Sequence, residues 1–263
     1  MGKMLFASDL DNTLLFSRRH SRPGDLCVEM LEGKEQGYFS PLTVARLREV
    51  NACMDFVPVT SRSVAQYRRI CFPAGCVPRW AVTTNGGLLL ENGEIDEAWQ
   101  AESLEAVAPW REELERTEAL LRAQPVPHRG RRVDELYVFA ACDDAAGAHA
   151  LAAALAGRTA LEVAVSGRKV YCFPAPISKG HALERLRRRQ GTPPWTYPCC
   201  WKRTPLRRRR RRCWQALPDK SACPGRGNTS ASSSSGAPWP LPGRKPDKKS
   251  TRSMLRVLFF IQR

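Results

Sequence analysis

Residues 8–14 read Ser-Asp-Leu-Asp-Asn-Thr-Leu and follow directly on the apolar run from Met4 to Ala7. Asp9 and Asp11 stand two residues apart, with the Thr13 hydroxyl two further on, where a strand is expected to end. Phosphoryl transfer through a carboxylate needs a nucleophile, a nearby acid/base, donors for the phosphate oxygens and a cation to offset the clustered negative charge. Asp9 suits the nucleophile, Asp11 the proton donor and acceptor, and Thr13 the residue that holds the turn. Thr60, in Val57-Pro-Val-Thr-Ser-Arg-Ser63, ends a second apolar run and opens a predicted helix. Its hydroxyl and the helix N-terminal amides suit an anion, although a plain helix cap is an equally natural role. Lys179, in Pro176-Ile-Ser-Lys-Gly180, starts a further helix and can carry its ammonium to a phosphate and to Asp9. Asn85-Gly86 is a turn in the first place and a substrate contact only in the second.

These groups need a scaffold that gathers strand ends. Lys3–Ser8 is apolar with little alternation, as a strand buried on both faces would be. Ser40-Pro41 has the form of an N-cap followed by proline at the first helical position, and Leu42, Ala45, Leu47 and Val50 recur near helical spacing. Phe56–Thr60 and Trp80–Thr84 are further strands, separated by a helix over Ser63–Cys71, while the polar, Gly-containing stretch 18–40 reads as a loop or short hairpin. Strand–helix–strand–helix–strand implies a parallel sheet with helices on its faces, and open α/β sheets bind ligands at the carboxyl ends of their strands. After Gly87 the character changes. Asn92-Gly93 is a hairpin signal, a long charged helix is predicted over Leu104–Arg122, and a strand over Leu136–Ala141. An Ala-rich helix follows over Ala145–Ala156, then a strand pair, Leu161–Val165 and Lys169–Phe173. The expected organisation is an α/β Rossmann-like parallel core from residues 1–87 and 174–190, with an α+β cap inserted at 88–173.

The net charge of +16 hides a division. Residues 1–179 hold 21 Lys/Arg and 23 Asp/Glu, a balance of −2, whereas 180–263 hold 21 Lys/Arg and 3 acids, a balance of +18. The basic character belongs to the last third of the chain. Ten cysteines are scattered with no Cys-x-x-Cys pair, which argues for incidental thiols in a reducing compartment rather than a zinc site. The N-terminal apolar run is interrupted too soon for a signal peptide, and Leu255–Ile261 is too short to span a bilayer, so the expectation is a cytoplasmic protein without a membrane partner.

Asp-Leu-Asp-Asn-Thr-Leu, the Thr60-Ser-Arg-Ser stretch, Asn85-Gly86 and Ile177-Ser-Lys179-Gly together resemble the haloacid-dehalogenase (HAD) superfamily of phosphatases. More narrowly, they are similar to the branch that carries an α+β cap after the third strand, the Cof-type and sucrose-phosphate phosphatase group. The resemblance covers about residues 3–190, with all four signals in order. It implies Asp9 as the site of an aspartyl phosphate and Asp11 as the acid that protonates the leaving oxygen. Thr13, Thr60, Asn85 and Lys179 would contact the phosphate or substrate, and Mg²⁺ would sit on the Asp9 carboxylate and the Asp11 carbonyl. The implied function is Mg²⁺-dependent hydrolysis of a small phosphorylated metabolite, foremost a sugar phosphate.

Two departures stand out. Ser61 occupies a position where the branch usually has Gly, and the Gly-Asp-x-x-x-Asp motif expected some twenty residues after the lysine is replaced by Tyr197-Pro-Cys-Cys-Trp-Lys-Arg-Thr-Pro. A hard divalent cation requires oxygen ligands, so weak or absent turnover is expected. Residues 191–263 read as a disordered, basic, low-complexity tail with six consecutive arginines at 207–212 and the composition of a GC-rich gene read out of frame. The core would then lose its closing elements and expose an apolar edge. The alternative function is a catalytically silent HAD-like protein whose arginine- and tryptophan-rich tail binds nucleic acid or another polyanion.

Overall fold

The computed structural model describes residues 4–190 and the backbone of a strand at 258–261. The arginine run and the polyanion-binding reading lie outside the described residues.

Strand β1 (Met4–Ser8), which leads into Asp9, pairs in parallel with β5 (Met54–Pro58), in register from Met4 opposite Met54 to Ser8 opposite Pro58. A parallel bridge between Val59 and Val82 carries the sheet on to β6 (Trp80–Thr83). The antiparallel strands β7 (Leu88–Glu91) and β8 (Glu94–Ile95) then follow. The two faces of β1 divide by the strand period of two. Leu5 and Ala7 face a cluster with Val57, Val59, Val82, Leu89, Trp99, Leu183 and Leu186. Phe6 faces the larger cluster with Leu47, Val50 and Phe56. Burial on both faces is what the continuous apolar run predicts.

Helix α1 (Pro41–Cys53) begins as expected, with Ser40 Oγ accepting from the Thr43 amide and Pro41 in the first turn. Helix α2 is shorter than predicted, only Val64–Tyr67, and is opened by a reciprocal Ser63–Gln66 capping box. The stretch 18–40 is more ordered than a loop. Strands β2 (Phe16–Ser17), β3 (Leu26–Leu31) and β4 (Lys34–Phe39) form an antiparallel sheet in the order β2-β4-β3, turned at Glu32-Gly33 with φ of 50° and 72°.

The long charged helix is two helices. Helix α3 (Glu97–Val107) is capped by Asp96, and α4 (Arg111–Arg122) follows a 3₁₀ turn at Ala108–Trp110. Pro109 lacks the amide that a continuous helix would need at that point. The cap proper is a sheet in the order β11-β12-β10-β9, from β9 (His128–Val133), β10 (Tyr137–Cys142), β11 (Glu162–Ser166) and β12 (Lys169–Phe173), with α5 (Ala145–Leu155) packed on it. Strands β7 and β8 extend the core sheet, and Trp99 of α3 is packed in the core cluster. The sequence reading starts the cap at residue 88; we place the boundary between α3 and α4 instead. Helix α6 (Lys179–Arg189) returns the chain to the core.

The outer edge of β1 is not open. Strand β13 (Leu258–Ile261) runs antiparallel to it, pairing Leu5 with Ile261, Phe6 with Phe260, Ala7 with Phe259 and Ser8 with Leu258. The expectation of an exposed edge is therefore corrected at these four residues.

Candidate active site

Asp9 lies one residue beyond the end of β1, where the chain leaves the sheet. Its Oδ1 accepts from the Leu10 amide at 2.8 Å and from Lys179 Nζ at 3.0 Å. Oδ2 has no hydrogen bond among the described residues, which leaves one oxygen of a fixed carboxylate free to attack. Lys179 is the first residue of α6, with Ser178 as its N-cap, and it is only 8% exposed. A buried ammonium and a buried carboxylate hold each other in place, because neither has water to replace its partner.

The turn after Asp9 is set by backbone bonds. The amides of Thr13, Leu14 and Leu15 all donate to Leu10 O. Asn12 takes φ of 56°, a left-handed conformation that Asn tolerates better than most residues. Thr13 serves this turn through its main chain. Asn85 is also left-handed, at φ 57°, between Thr84 and Gly86 of the same hand. Its amide N–H donates to Thr60 O and its side-chain Nδ2 to Ile177 O. Asn85 is thus committed to joining the β5 loop, the β6 loop and the approach to Lys179. A side chain at Gly86 would bring Cβ within 2.5 Å of Ser178 O, which makes glycine obligatory at this junction. Thr60 is fully buried, and its Oγ1 accepts from the Arg62 amide at 3.1 Å. Helix α2 starts beyond Ser63, so Thr60 caps a turn and not the helix.

The most consequential group is one the sequence reading left without a role. The Arg62 guanidinium donates to both oxygens of Asp11, Nη2 to Oδ1 at 2.8 Å and Nε to Oδ2 at 3.0 Å. It also donates to both oxygens of Glu29, at 2.8 and 3.0 Å. Glu29 sits on β3, is 3% exposed, and accepts a further ion pair from Arg69 at 3.1 Å. A Cβ at Gly37 would lie 2.8 Å from Glu29 Oε2, so the glycine on β4 makes room for this carboxylate. Enclosure by protein would raise the Asp11 pKa, but the hydrogen bonds and charge of Arg62 outweigh it, and Lys169 and Lys179 add smaller contributions. Asp11 is held below the ordinary carboxylate value and ionised. Arg62 stood in the quoted Thr60-Ser-Arg stretch, whereas no sequence signal marks Glu29.

The cap covers this cluster with the face of β9, β10 and β12. Tyr137 Oη donates to Ser61 O at 2.8 Å, and Thr84 Oγ1 donates to Asp134 at 2.6 Å. Asp11, Ser61, Arg62 and Gln66 of the core face Arg131, Tyr137, Phe139, Lys169 and Tyr171 of the cap across a space of about 20 Å³, enough for about one water. The Tyr171 hydroxyl is pushed up by burial; a hydrogen bond from Ser61 opposes this and the charges of Asp11 and Asp9 add to it.

No family model matches the chain, and no curated protein does. Solved structures do. The chain is similar to several of them at low identity. One is the sucrose-phosphatase of Synechocystis, solved with sucrose and phosphate, with a TM-score of 0.47 and 16% identity, covering 74% of this chain and 73% of that one. Another is a haloacid dehalogenase-like hydrolase from B. subtilis, with a TM-score of 0.43 and 17% identity over 72% and 79%. A third is the IMP-nucleotidase of Plasmodium falciparum, with a TM-score of 0.47 and 8% identity over 72% and 57%.

The donor set offers a divalent cation few side-chain oxygens. Among the described residues no three His, Cys, Asp or Glu side chains gather around a common point. Both Asp11 oxygens and one Asp9 oxygen are already engaged by cationic side chains. Mg²⁺ is commonly held by one or two carboxylates with waters and a substrate phosphate; here Asp9 Oδ2 and the Asp11 main-chain carbonyl are the oxygens that would hold it. Among the described residues no helix is long and apolar enough to cross a membrane. The buried thiols Cys76, Cys142 and Cys172 are all pushed up by burial, Cys172 to about 12, and are inert for that reason.

Proposed function

We propose that this chain is a HAD-type phosphomonoester hydrolase that works through an aspartyl phosphate on Asp9, on a small phosphorylated metabolite such as a sugar phosphate, in the cytoplasm. The observation that carries the reading is the asymmetry of Asp9: Oδ1 is clamped by Lys179 and the Leu10 amide while Oδ2 is free, with a second carboxylate two residues on.

In the first step Asp9 Oδ2 attacks phosphorus, the bond to the ester oxygen breaks, and Asp11 gives its proton to that oxygen. Lys179 neutralises charge on the phosphoryl group as it transfers. In the second step water attacks the acyl phosphate, Asp11 takes its proton, and inorganic phosphate leaves with Asp9 restored. Thr13, Thr60 and Asn85 fix the loops that deliver these groups. Asp11 must first take up a proton and part from Arg62, and the narrow cleft must open for any ester to enter. The test is incubation of the full-length chain with p-nitrophenyl phosphate, followed by acid quench and intact-mass measurement. A phosphoryl adduct that is absent in Asp9→Asn supports the reading; turnover that survives the substitution overturns it.

A second reading has its own observation. With both Asp11 oxygens held by Arg62 and few side-chain oxygens offered to a cation by the described residues, the chain could bind a phosphate ester without cleaving it. Thermal stabilisation by the ester without phosphate release would favour that outcome.

A further inference from the structure

On the core side of the cleft every charge has its opposite. Lys179 faces Asp9, and Arg62 and Arg69 face Asp11 and Glu29. The cap side contributes two more cations, Arg131 and Lys169, both exposed and without an ion pair among the described residues. Two other arginines of the cap sheet are engaged, Arg132 with Glu118 and Glu135 and Arg168 with Asp143 O, while Arg129 on β9 is exposed but does not line the cleft. Arg168, the cap arginine singled out in the sequence for an anionic substrate, is therefore occupied on the hairpin turn, and its neighbour Lys169 faces the cleft instead.

The two cations flank an aromatic surface. Arg131 sits opposite Phe139 in the ladder, and Phe139 opposite Tyr171. The Arg131 guanidinium lies 5.9 Å from the Phe139 ring centre, and the Phe139 and Tyr171 rings meet edge to face at 5.3 Å. Lys169 stands on β12, two strands from Arg131, about 10 Å across the sheet. Its charge reaches Asp11. Among the described residues that line the cleft, the cap side presents no carboxylate or carboxamide, the groups that would read the hydroxyls of a neutral sugar. It offers aromatic surface and positive charge.

We propose that the part of the substrate beneath the cap carries a second anionic group, a carboxylate or a second phosphate, which Arg131 and Lys169 receive on either side of the Phe139–Tyr171 surface. This rests on the phosphomonoester reading above for the identity of the first anion. Lys179 takes the transferring phosphoryl group, and the cap cations take the second charge. They select esters such as aldonic acid phosphates or bisphosphates over neutral sugar monophosphates.

The test compares 6-phosphogluconate and fructose 1,6-bisphosphate with glucose 6-phosphate, by kcat/KM and by thermal stabilisation of the full-length chain. Wild type should favour the doubly anionic esters by roughly tenfold or more, the usual worth of a charge-assisted hydrogen bond. Arg131→Gln with Lys169→Gln should abolish that ratio, and Lys169→Arg should keep it. Equal treatment of the three esters overturns the proposal, as does a ratio that survives the double substitution. If no ester is hydrolysed, the hydrolase reading fails. The same ratio read by thermal stabilisation then still decides the second-anion proposal.

Discussion

The two walls of the cleft differ in how their charges are arranged. The core wall is a closed electrostatic circuit in which each carboxylate is fixed by a cation delivered from another element: β1 to α6 through Asp9–Lys179, and the β1 loop to β3 through Asp11–Arg62–Glu29. The cap wall is open, with cations that await a partner. A closed circuit preorganises chemistry and costs stability when one member is lost, because the remaining charge is buried alone. An open one costs little to the free protein and speaks only when a ligand arrives. On the proposed reading, catalysis and choice of substrate are separated onto two layers that meet at Asp11.

The comparison breaks most completely at Asp9. Asp9→Asn removes the nucleophile and should lower any ester turnover by at least about a thousandfold, read by phosphate release. Lys179→Ala comes next. It strands a carboxylate that is 7% exposed and should cost about 3–5 kcal/mol, read as a lower denaturant midpoint with the slope unchanged.

Arg62→Gln sharpens the comparison. Glu29 keeps Arg69, so the loss should be smaller, about 2–3 kcal/mol. The same change bears on pH. The Asp11 pKa is depressed in the folded protein. The stability it contributes is therefore fully present above the ordinary carboxylate value and is lost as pH falls through the depressed one. Arg62→Gln should flatten that acid-side loss and move the protonation of Asp11 upward, shifting the alkaline limb of a rate profile, where the proton-donating form is lost, to higher pH. An unmoved limb would mean that Arg62 does not set the acid. The smallest effect is expected from Tyr137→Phe, which deletes the bond to Ser61 O and should cost about 1 kcal/mol while loosening the cap.

Residues that act through their own backbone neighbourhood were legible in the sequence. Ser40-Pro41, Asn92-Gly93 and the apolar β1 run each announce local structure, and each forms it. The Asp9–Lys179 pair was legible because both ends lie at predicted element boundaries. The rest depends on partners distant in the chain. Glu29 is an ordinary acid in a polar stretch until Arg62 and Gly37 make a place for it. Strand β9, His-Arg-Gly-Arg-Arg-Val, has no strand-like composition because it is an edge strand exposed along much of its length. The predicted long helix ignored Pro109, whose effect is local and could have been read.

Strand β13 has a consequence for the order in which the molecule assembles. β1 leaves the ribosome well before the residues that cover its outer edge, since Leu258 follows its partner Ser8 by 250 residues in the chain. At ordinary elongation rates that interval is on the order of tens of seconds, far longer than a strand needs to find a partner. Throughout it the strand preceding Asp9 presents a bare row of amides and carbonyls to its surroundings, the kind of template on which chains associate. Closing so distant a pair is also slow once synthesis ends. The yield of native protein should therefore depend on what shields β1 while it waits, such as a chaperone, a low expression rate or a low temperature.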